Sequence, residues 1–464
     1  MTTPAEPAVR SATSAADLAL APRSGPESIT RFLNAVAPGE VLGAVRHCLP
    51  PGATDPVLRL VRAKLKPGRK LTAEYGVLLP GLGGVERRVA VTWVAPGATA
   101  PGPAPDGEVE ARRRGVLAPF RRAWIGSDDE RMSMSVSPVD DAFPQLVRLH
   151  DPGYLVDMLA AAGATADAGR VTAEDVAVTT VRYRPGQRHV LRVGIGPGGP
   201  AWFVKVYRDD TGRFAVDAAA RAATALAAVG DRAPGVSSGG GVYVAADRVA
   251  IWPEVTGTSL ADVIVLSGSA AEDAVRAAGH ALRLMHDAPP GEGLPVRPDA
   301  VAQAGETVRT AQLLDALLPA VGAQLRGEVG RVLETLAGLP AEPPTVTHGD
   351  FKCDNLVVNG GRVHLLDFDR CGRGDPAADI GKFLADLRWW TDVGGHPVEP
   401  LHQAFLDAYG VLEPTRFARA RAYDALLQLR MAARRMPVQH PDWERRVARS
   451  VGIAAATLAV EPAP

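Results

Sequence analysis

The strongest constraint in the chain is one polar stretch framed by apolar runs: Val346-Thr347-His348-Gly349-Asp350-Phe351-Lys352-Cys353-Asp354-Asn355, followed by Val363-His364-Leu365-Leu366-Asp367-Phe368-Asp369. Short β-branched and apolar runs bounded by Gly and Asn read as strands joined by turns. An apolar strand therefore delivers a polar loop, the chain returns as a hairpin, and the hairpin ends in two carboxylates one residue apart. Such a layout can bring one carboxylate, one amide and further carboxylates to a single point. Phosphoryl transfer asks for that set: a carboxylate to orient or deprotonate the attacking hydroxyl, and hard oxygen ligands for a divalent ion bridging the phosphates.

Lysine usage adds a second signal. The chain has only six lysines, Lys64, Lys66, Lys70, Lys205, Lys352 and Lys382, against a great excess of arginine. Lys205 interrupts the apolar run Ala201-Trp202-Phe203-Val204-Lys205-Val206-Tyr207. A compact ammonium in such a strand suits nucleotide phosphates; a lysine snorkelling from an edge strand is the structural alternative.

These residues resemble the aminoglycoside phosphotransferase and choline kinase superfamily, relatives of the protein kinases. His348, Asp350 and Asn355 reproduce the family's His-x-Asp-x-x-x-x-Asn loop, and Leu366-Asp367-Phe368-Asp369 stands where the family keeps its metal-binding aspartate. Gly374-Asp375-Pro376-Ala377-Ala378-Asp379-Ile380 is similar to the segment that opens the following helix. The resemblance covers roughly residues 171–423. It implies ATP and Mg2+ as cofactors, with Asp350 the catalytic base or orienting carboxylate. Lys352 is unusual for the small-molecule branch and resembles instead the lysine two residues after the catalytic aspartate of Ser/Thr protein kinases, which would make it a second catalytic group beside the transferring phosphoryl; a solvated loop lysine is the alternative. The resemblance further implies Asn355 and Asp367 as magnesium ligands, Asp369 as an auxiliary one, and Lys205 as the phosphate-holding lysine. Glu254 and Val255 follow a strand at 248–252 and would form the adenine-binding hinge, while His348 and Asp379 would hold the loop.

Two family features are missing. Aligning 221–229 with the usual helix puts Ala222 where a glutamate would pair with the lysine, and leaves Asp217 as the only acid of that helix. No Gly-x-Gly-x-x-Gly loop precedes the lysine strand, so Pro185-Gly186-Gln187-Arg188 would cover the phosphates instead.

The implied fold class is α+β, a bilobal protein-kinase-like fold preceded by an α+β cap. Residues 1–26 read as a disordered tail without a secretory signal, 27–165 as the cap, 166–257 as a β-rich N-lobe and 258–464 as a helical C-lobe. Helices are expected at 29–36, 41–48, 152–162, 270–286, 311–336, 400–409 and 416–435; strands at 58–65, 70–79, 87–94, 131–137, 345–347, 356–358 and 363–366; and a surface loop at 95–107. Lys64 to Lys70 resembles Arg182 to Arg188, each a basic strand entering a Pro-Gly turn and leaving through another basic strand. That is either a duplicated hairpin or shared turn chemistry.

The net charge of -1, from 51 basic and 52 acidic residues, provides no field for nucleic acid or an anionic membrane. No apolar run is long enough to span a bilayer. Cys48, Cys353 and Cys371 show neither metal spacing nor an even count, which fits a reducing cytoplasm. The expected partner is therefore a small hydroxylated molecule, and the sequence does not decide between monomer and homodimer. Substrate choice is expected in the loop 286–300 and in the helical lobe after Asp379. Residues 401–464 hold nine arginines and six acids, which disfavours a polycationic aminoglycoside and favours a neutral or anionic acceptor such as a sugar or sugar derivative. Alternative readings are a kinase of Ser or Thr in a peptide, motivated by Lys352, an aminoglycoside kinase, and a nucleotide-binding pseudokinase, motivated by the missing glutamate.

Overall fold

The computed structural model describes residues 13–20, 25–80, 85–102, 105–164, 171–227, 235–236, 241–289 and 293–459. The chain divides into two compact units, Met1–Asp210 with Tyr243–Ile251, and Thr211–Val242 with Trp252–Pro464.

The first unit opens with three helices, α1 (Thr13–Leu20), α2 (Glu27–Ala35) and α3 (Pro38–Cys48). The expectation of a disordered tail fails at α1, whose Ala16, Ala19 and Leu20 are buried in the same core as Phe32 and Val45; residues 1–12 and 21–24 lie outside the described residues. Strands β1 (Val57–Lys66), β2 (Lys70–Leu79) and β3 (Val85–Val94) follow, then α4 (Pro105–Arg113), β4 (Trp124–Gly126) and β5 (Met132–Val136). The Pro- and Gly-rich stretch expected to be loop throughout thus starts a helix at Pro105, where proline's fixed φ suits a first helical position. After α5 (Pro152–Ala161), capped by Asp151, the strands β6 (Val176–Arg184), β7 (Arg188–Ile195) and β8 (Ala201–Val206) form a second antiparallel meander. Its buried face, including Tyr183, Leu191 and Val204, packs with Phe143, Leu155 and Leu159.

The two sheets share one plan. The second sheet is completed across a stretch of chain that begins in the other unit with α6 (Thr211–Ala227) and a short strand β9 (Gly235–Val236), before β10 (Val242–Val244) and β11 (Val249–Pro253). The strand orders are β1-β2-β3-β5-β4 and β6-β7-β8-β11-β10, so in each the last two strands enter in reversed order after a helix. Both opening hairpins carry a register shift in the first strand, at Leu60/Arg62 and at Thr180/Arg182. Both turn on Pro-Gly with the glycine left-handed, φ 63° at Gly68 and 68° at Gly186. The residue after each glycine donates back across the turn, Arg69 to Lys66 and Gln187 to Arg184, the pattern of a type II turn. The ladder position held by Lys205 opposite Val190 is held in the first sheet by Thr92 opposite Thr72. The first sheet thus repeats the scaffold of the second without its lysine.

The second unit is mainly helical. Strand β12 (Thr258–Ser259) leads into α7 (Leu260–Ser267), α8 (Glu272–Asp287), α9 (Ala300–Leu317) and α10 (Pro319–Gly338). The single helix expected over 311–336 is two, because Pro319 lacks the amide hydrogen and clashes with the preceding turn, so it starts a helix instead of continuing one. Strands β13 (Thr345–Thr347), β14 (Leu356–Asn359), β15 (Arg362–Leu365) and β16 (Gly372–Gly374) carry the polar motifs. The helices α11 (Pro376–Gly394), α12 (Glu399–Tyr409), α13 (Pro414–Arg434) and α14 (Trp443–Ala459) complete the unit. Helices α11 and α13 meet at Gly381, where a Cβ would lie 2.4 Å from the Ala420 carbonyl oxygen; only glycine permits that approach.

Candidate active site

The loop between β13 and β14 is held from beneath by Asp379, in the first turn of α11. This fully buried carboxylate accepts the amide hydrogens of His348 (2.6 Å) and Gly349 (2.9 Å). Burial pushes its pKa up, but His286, His348 and these amides outweigh burial and hold the carboxyl below its ordinary range. His348 Nε2 lies 2.9 Å from the Leu366 carbonyl oxygen, and its Nδ1 accepts the Asp350 amide hydrogen at 3.3 Å. Those two bonds fix the Nε2-protonated tautomer and tie the loop to the end of β15. The structural roles expected of His348 and Asp379 match these contacts.

Asp350, at the tip of the loop, is surrounded by cations. Its Oδ1 lies 2.8 Å from Lys382 Nζ, its Oδ2 is 3.4 Å from Lys352 Nζ, and the same Oδ2 accepts from Asn355 Nδ2 at 3.2 Å. Burial would raise the Asp350 pKa, yet Lys382 and Lys352 together hold it far below the usual carboxylate range. A carboxylate so stabilised is a weak proton acceptor in the ground state but stays ionised and able to accept a charge-assisted hydrogen bond, which suits orienting a hydroxyl. Lys352 also lies 4.0 Å from Asp354.

Lys382 is the residue of this cluster that sequence reasoning missed. It was visible as one of six lysines, one turn beyond Asp379 on the helix after the motif, but its partner comes from a distant part of the chain.

The predicted metal ligands occupy the loop and the following hairpin. Asn355 spends its amide hydrogens on the carbonyl and carboxylate oxygens of Asp350, which leaves its amide oxygen as the atom to offer a cation. Asp367 follows β15 in a left-handed conformation, φ 65° and ψ 63°, a costly state for a non-glycine residue that occurs preferentially at functional sites. Asp369 is exposed in the short turn after it. Among the described residues no three His, Cys, Asp or Glu side chains converge as a preformed cage. Magnesium needs none, since it takes one or two protein oxygens and fills its octahedron with water and phosphate. The donor set is therefore of the right chemistry for it.

The remaining predicted residues lie elsewhere in the chain. Lys205 sits half-buried in β8, paired across the ladder with Val190. Glu254 and Val255 are half-buried just past β11, and the division between the units falls within that strand, between Ile251 and Trp252. On α6, Ala222 is fully buried and Asp217 is exposed; the aligned pattern beyond Ala227 lies outside the described residues. The turn Pro185-Gly186 is anchored by Asp140, whose Oδ2 accepts the Gly186 amide hydrogen (2.8 Å) and lies 2.7 Å from Nε2 of buried His189.

Beside Asp350, within the second unit, lies a cavity of about 640 Å³, lined among others by Arg297, Gly349, Arg370, Lys382 and Tyr423. That size suits a small ligand.

A model of the phosphotransferase enzyme family matches residues 180–425, more than half of the chain. No curated protein matches. Solved structures similar to the chain include a choline/ethanolamine kinase family protein from Mesorhizobium loti, 20% identical, covering 66% of this chain and 94% of that one with a TM-score of 0.44. An amicoumacin kinase solved with AMP-PNP and Ca2+ is 13% identical over 63% of this chain and 92% of its own, with a TM-score of 0.45. An aminoglycoside phosphotransferase from Streptomyces rimosus is 21% identical over 60% and 97%, with a TM-score of 0.39. With its motifs inside the matched span, the chain belongs to the phosphotransferase enzyme family, the aminoglycoside phosphotransferase type.

Proposed function

We propose that this phosphotransferase uses ATP and magnesium to phosphorylate a hydroxyl group of a small molecule, a sugar or sugar derivative. The observation that carries the reading is Asp350, ionised between Lys382 and Lys352 and bonded to Asn355, at the edge of a ligand-sized cavity. In this scheme Asp350 accepts a hydrogen bond from the acceptor hydroxyl and aims its oxygen. The proton passes to Asp350 only as the new O–P bond forms and the bond from the γ-phosphorus to the departing ADP oxygen breaks, because the depressed carboxylate is too weak a base to take it beforehand. Lys352 offers positive charge beside the transferring group. Lys205 would hold the nucleotide phosphates, and Glu254 and Val255 the adenine edge. Asn355 and Asp367, with Asp369 as an auxiliary ligand, would hold magnesium, which supplies charge neutralisation across the phosphates.

No helix in the described residues is long and apolar enough to cross a membrane. Three free, buried cysteines support work in a reducing cytoplasm.

The test is phosphate transfer from labelled ATP to a panel of sugars, sugar derivatives, amino alcohols and Ser/Thr peptides. Asp350→Asn is expected to lower kcat by about 10²–10⁴-fold with ATP binding nearly intact. Equal activity in the variant would remove the role given to Asp350, and transfer to peptides alone would replace the small-molecule acceptor.

A further inference from the structure

We propose that the acceptor carries an anionic group, a carboxylate or a phosphate ester, seated on Arg297 with Arg370 and Arg373 at the wall of the cavity beside Asp350. The inference rests on the kinase reading above and names the class of its acceptor.

Three of the cations lining the cavity already have carboxylate partners: Lys382 serves Asp350, Arg419 pairs with Asp375 at 2.5 Å, and Arg430 lies 3.4 Å from Glu306. The remaining carboxylates of the wall are also committed. Asp299 caps α9 through the Ala302 amide, Glu342 pairs with Arg416 at 2.5 Å, and Asp379 holds the catalytic loop. Among the described residues, Arg297, Arg309, Arg370 and Arg373 have no side-chain hydrogen-bond or ion-pair partner. Four guanidinium groups with no bonded counter-charge among the described residues thus line a cavity whose own acids are engaged elsewhere.

Arg297 differs from the other three in being half-buried, whereas they are exposed. Its side chain lies along the backbone of the catalytic loop. A Cβ on Gly349 would sit 2.2 Å from the Arg370 carbonyl oxygen and 2.8 Å from Arg297 Nε, and one on Gly372 would sit 2.3 Å from the Pro295 carbonyl oxygen and 2.9 Å from Arg297 Cδ, so backbone and arginine are closely packed at both glycines. Burial, followed by repulsion from Arg370, depresses its pKa, and Asp379 and Asp350 act in the opposite sense. A partly desolvated guanidinium without a bonded counter-charge is costly and is relieved by an anion, which its planar fork binds in bidentate fashion. Because Arg297 packs on the residue preceding Asp350, an anion there places a neighbouring hydroxyl within reach of Asp350. Apolar walls at Leu336 and Leu427 leave room for a carbon skeleton. The cationic excess that the sequence shows after residue 401 does not supply this charge. Arg416, Arg419 and Arg430 of that stretch are paired, and the unpaired arginines come from earlier in the chain.

The test measures thermal stabilisation of the full chain by glucose, gluconate, glucose 6-phosphate and kanamycin, with and without saturating ADP and magnesium. ADP fills the nucleotide's own phosphate positions, so a further shift reports the acceptor cavity. Stabilisation by gluconate or glucose 6-phosphate, but not by glucose or kanamycin, is expected, and the two anions distinguish carboxylate from phosphate. Arg297→Gln should weaken the anion's apparent affinity at least tenfold, with Arg297→Lys between it and the wild type. Exposed Arg370→Gln gives an independent reading should Arg297→Gln fold poorly. Stabilisation by glucose or kanamycin equal to that by the anions, anion shifts that survive both substitutions, or no shift by either anion would overturn the proposal. A missing response to ADP with magnesium would instead count against the kinase reading itself.

Discussion

Lys382 Nζ stands 2.8 Å from Asp350 Oδ1, so a lysine on α11 supplies the counter-charge for the carboxylate of the loop between β13 and β14. With Lys382 and Lys352 in place, the Asp350 carboxyl stays ionised far below the usual carboxylate range. The acid limb of kcat/KM should therefore show no Asp350 ionisation near pH 4. Lys382→Met removes the larger of the two opposing charges, so the Asp350 pKa rises and the acid limb moves to higher pH; Lys382→Arg should keep the limb low. A pH profile of kcat/KM for the three proteins checks this, and an unmoved limb in Lys382→Met would detach the lysine from Asp350.

Asp379→Asn should destabilise the second unit by about 3 kcal/mol, because the side-chain amide would direct a donor at one of two buried backbone donors, the His348 and Gly349 amides. Its folded pKa is depressed, so the carboxylate's contribution is complete above the unfolded pKa near 4 and disappears as pH falls through the folded value. Denaturant unfolding at pH 7 and at pH 3 should therefore show a wide gap between wild type and variant at pH 7 and a narrower one at pH 3.

The polar loop and its hairpin were legible in the sequence because their chemistry is local. Strands at 345–347 and 356–358 match the observed ones within a residue, and His348, Asp350 and Asn355 are positioned by bonds inside one short loop. The Pro-Gly repeat was legible as a hairpin but not as a sheet, since the shared strand order depends on pairings between strands far apart in the chain. Lys382 escaped for the same reason: it meets Asp350 because α11 docks on the loop through Asp379, a contact between residues about thirty positions apart. The short helix α1 read as tail because its composition is poor in large apolar residues; tertiary burial of Ala16, Ala19 and Leu20 supplies its stability. The unpaired arginines of the cavity were invisible to a count of charge, which cannot tell paired from unpaired.

Asp140 joins the segment after β5 to the Pro185-Gly186 turn, and its loss should be felt in nucleotide binding. Asp140→Ala frees the exposed Gly186 amide to solvent, loosening the turn, and removes the partner of His189, whose ring is fully buried. The expected results are a loss of roughly 2–3 kcal/mol in the first unit and a raised KM for ATP with kcat little changed. Steady-state kinetics alongside thermal unfolding separates the two effects; an unchanged KM for ATP would mean that the turn does not cover the phosphates.

Asp424 runs opposite to Asp379, and its replacement should stabilise the protein. It is buried in α13 with Gln428 donating to its Oδ1 at 2.6 Å, and burial raises its pKa to about 6. An unfolded aspartate ionises near pH 4, so between about pH 4 and pH 6 the unfolded state loses its proton first and the folded state is progressively penalised. Above pH 6 the penalty is constant, roughly 2–3 kcal/mol. Asp424→Asn keeps an oxygen for Gln428 and has no charge to bury, so its gain should be present at pH 7 and vanish toward pH 4. Urea unfolding of wild type and variant at both values measures it, and an equal difference at the two pH values would show that Asp424 is ionised and solvated in the folded state.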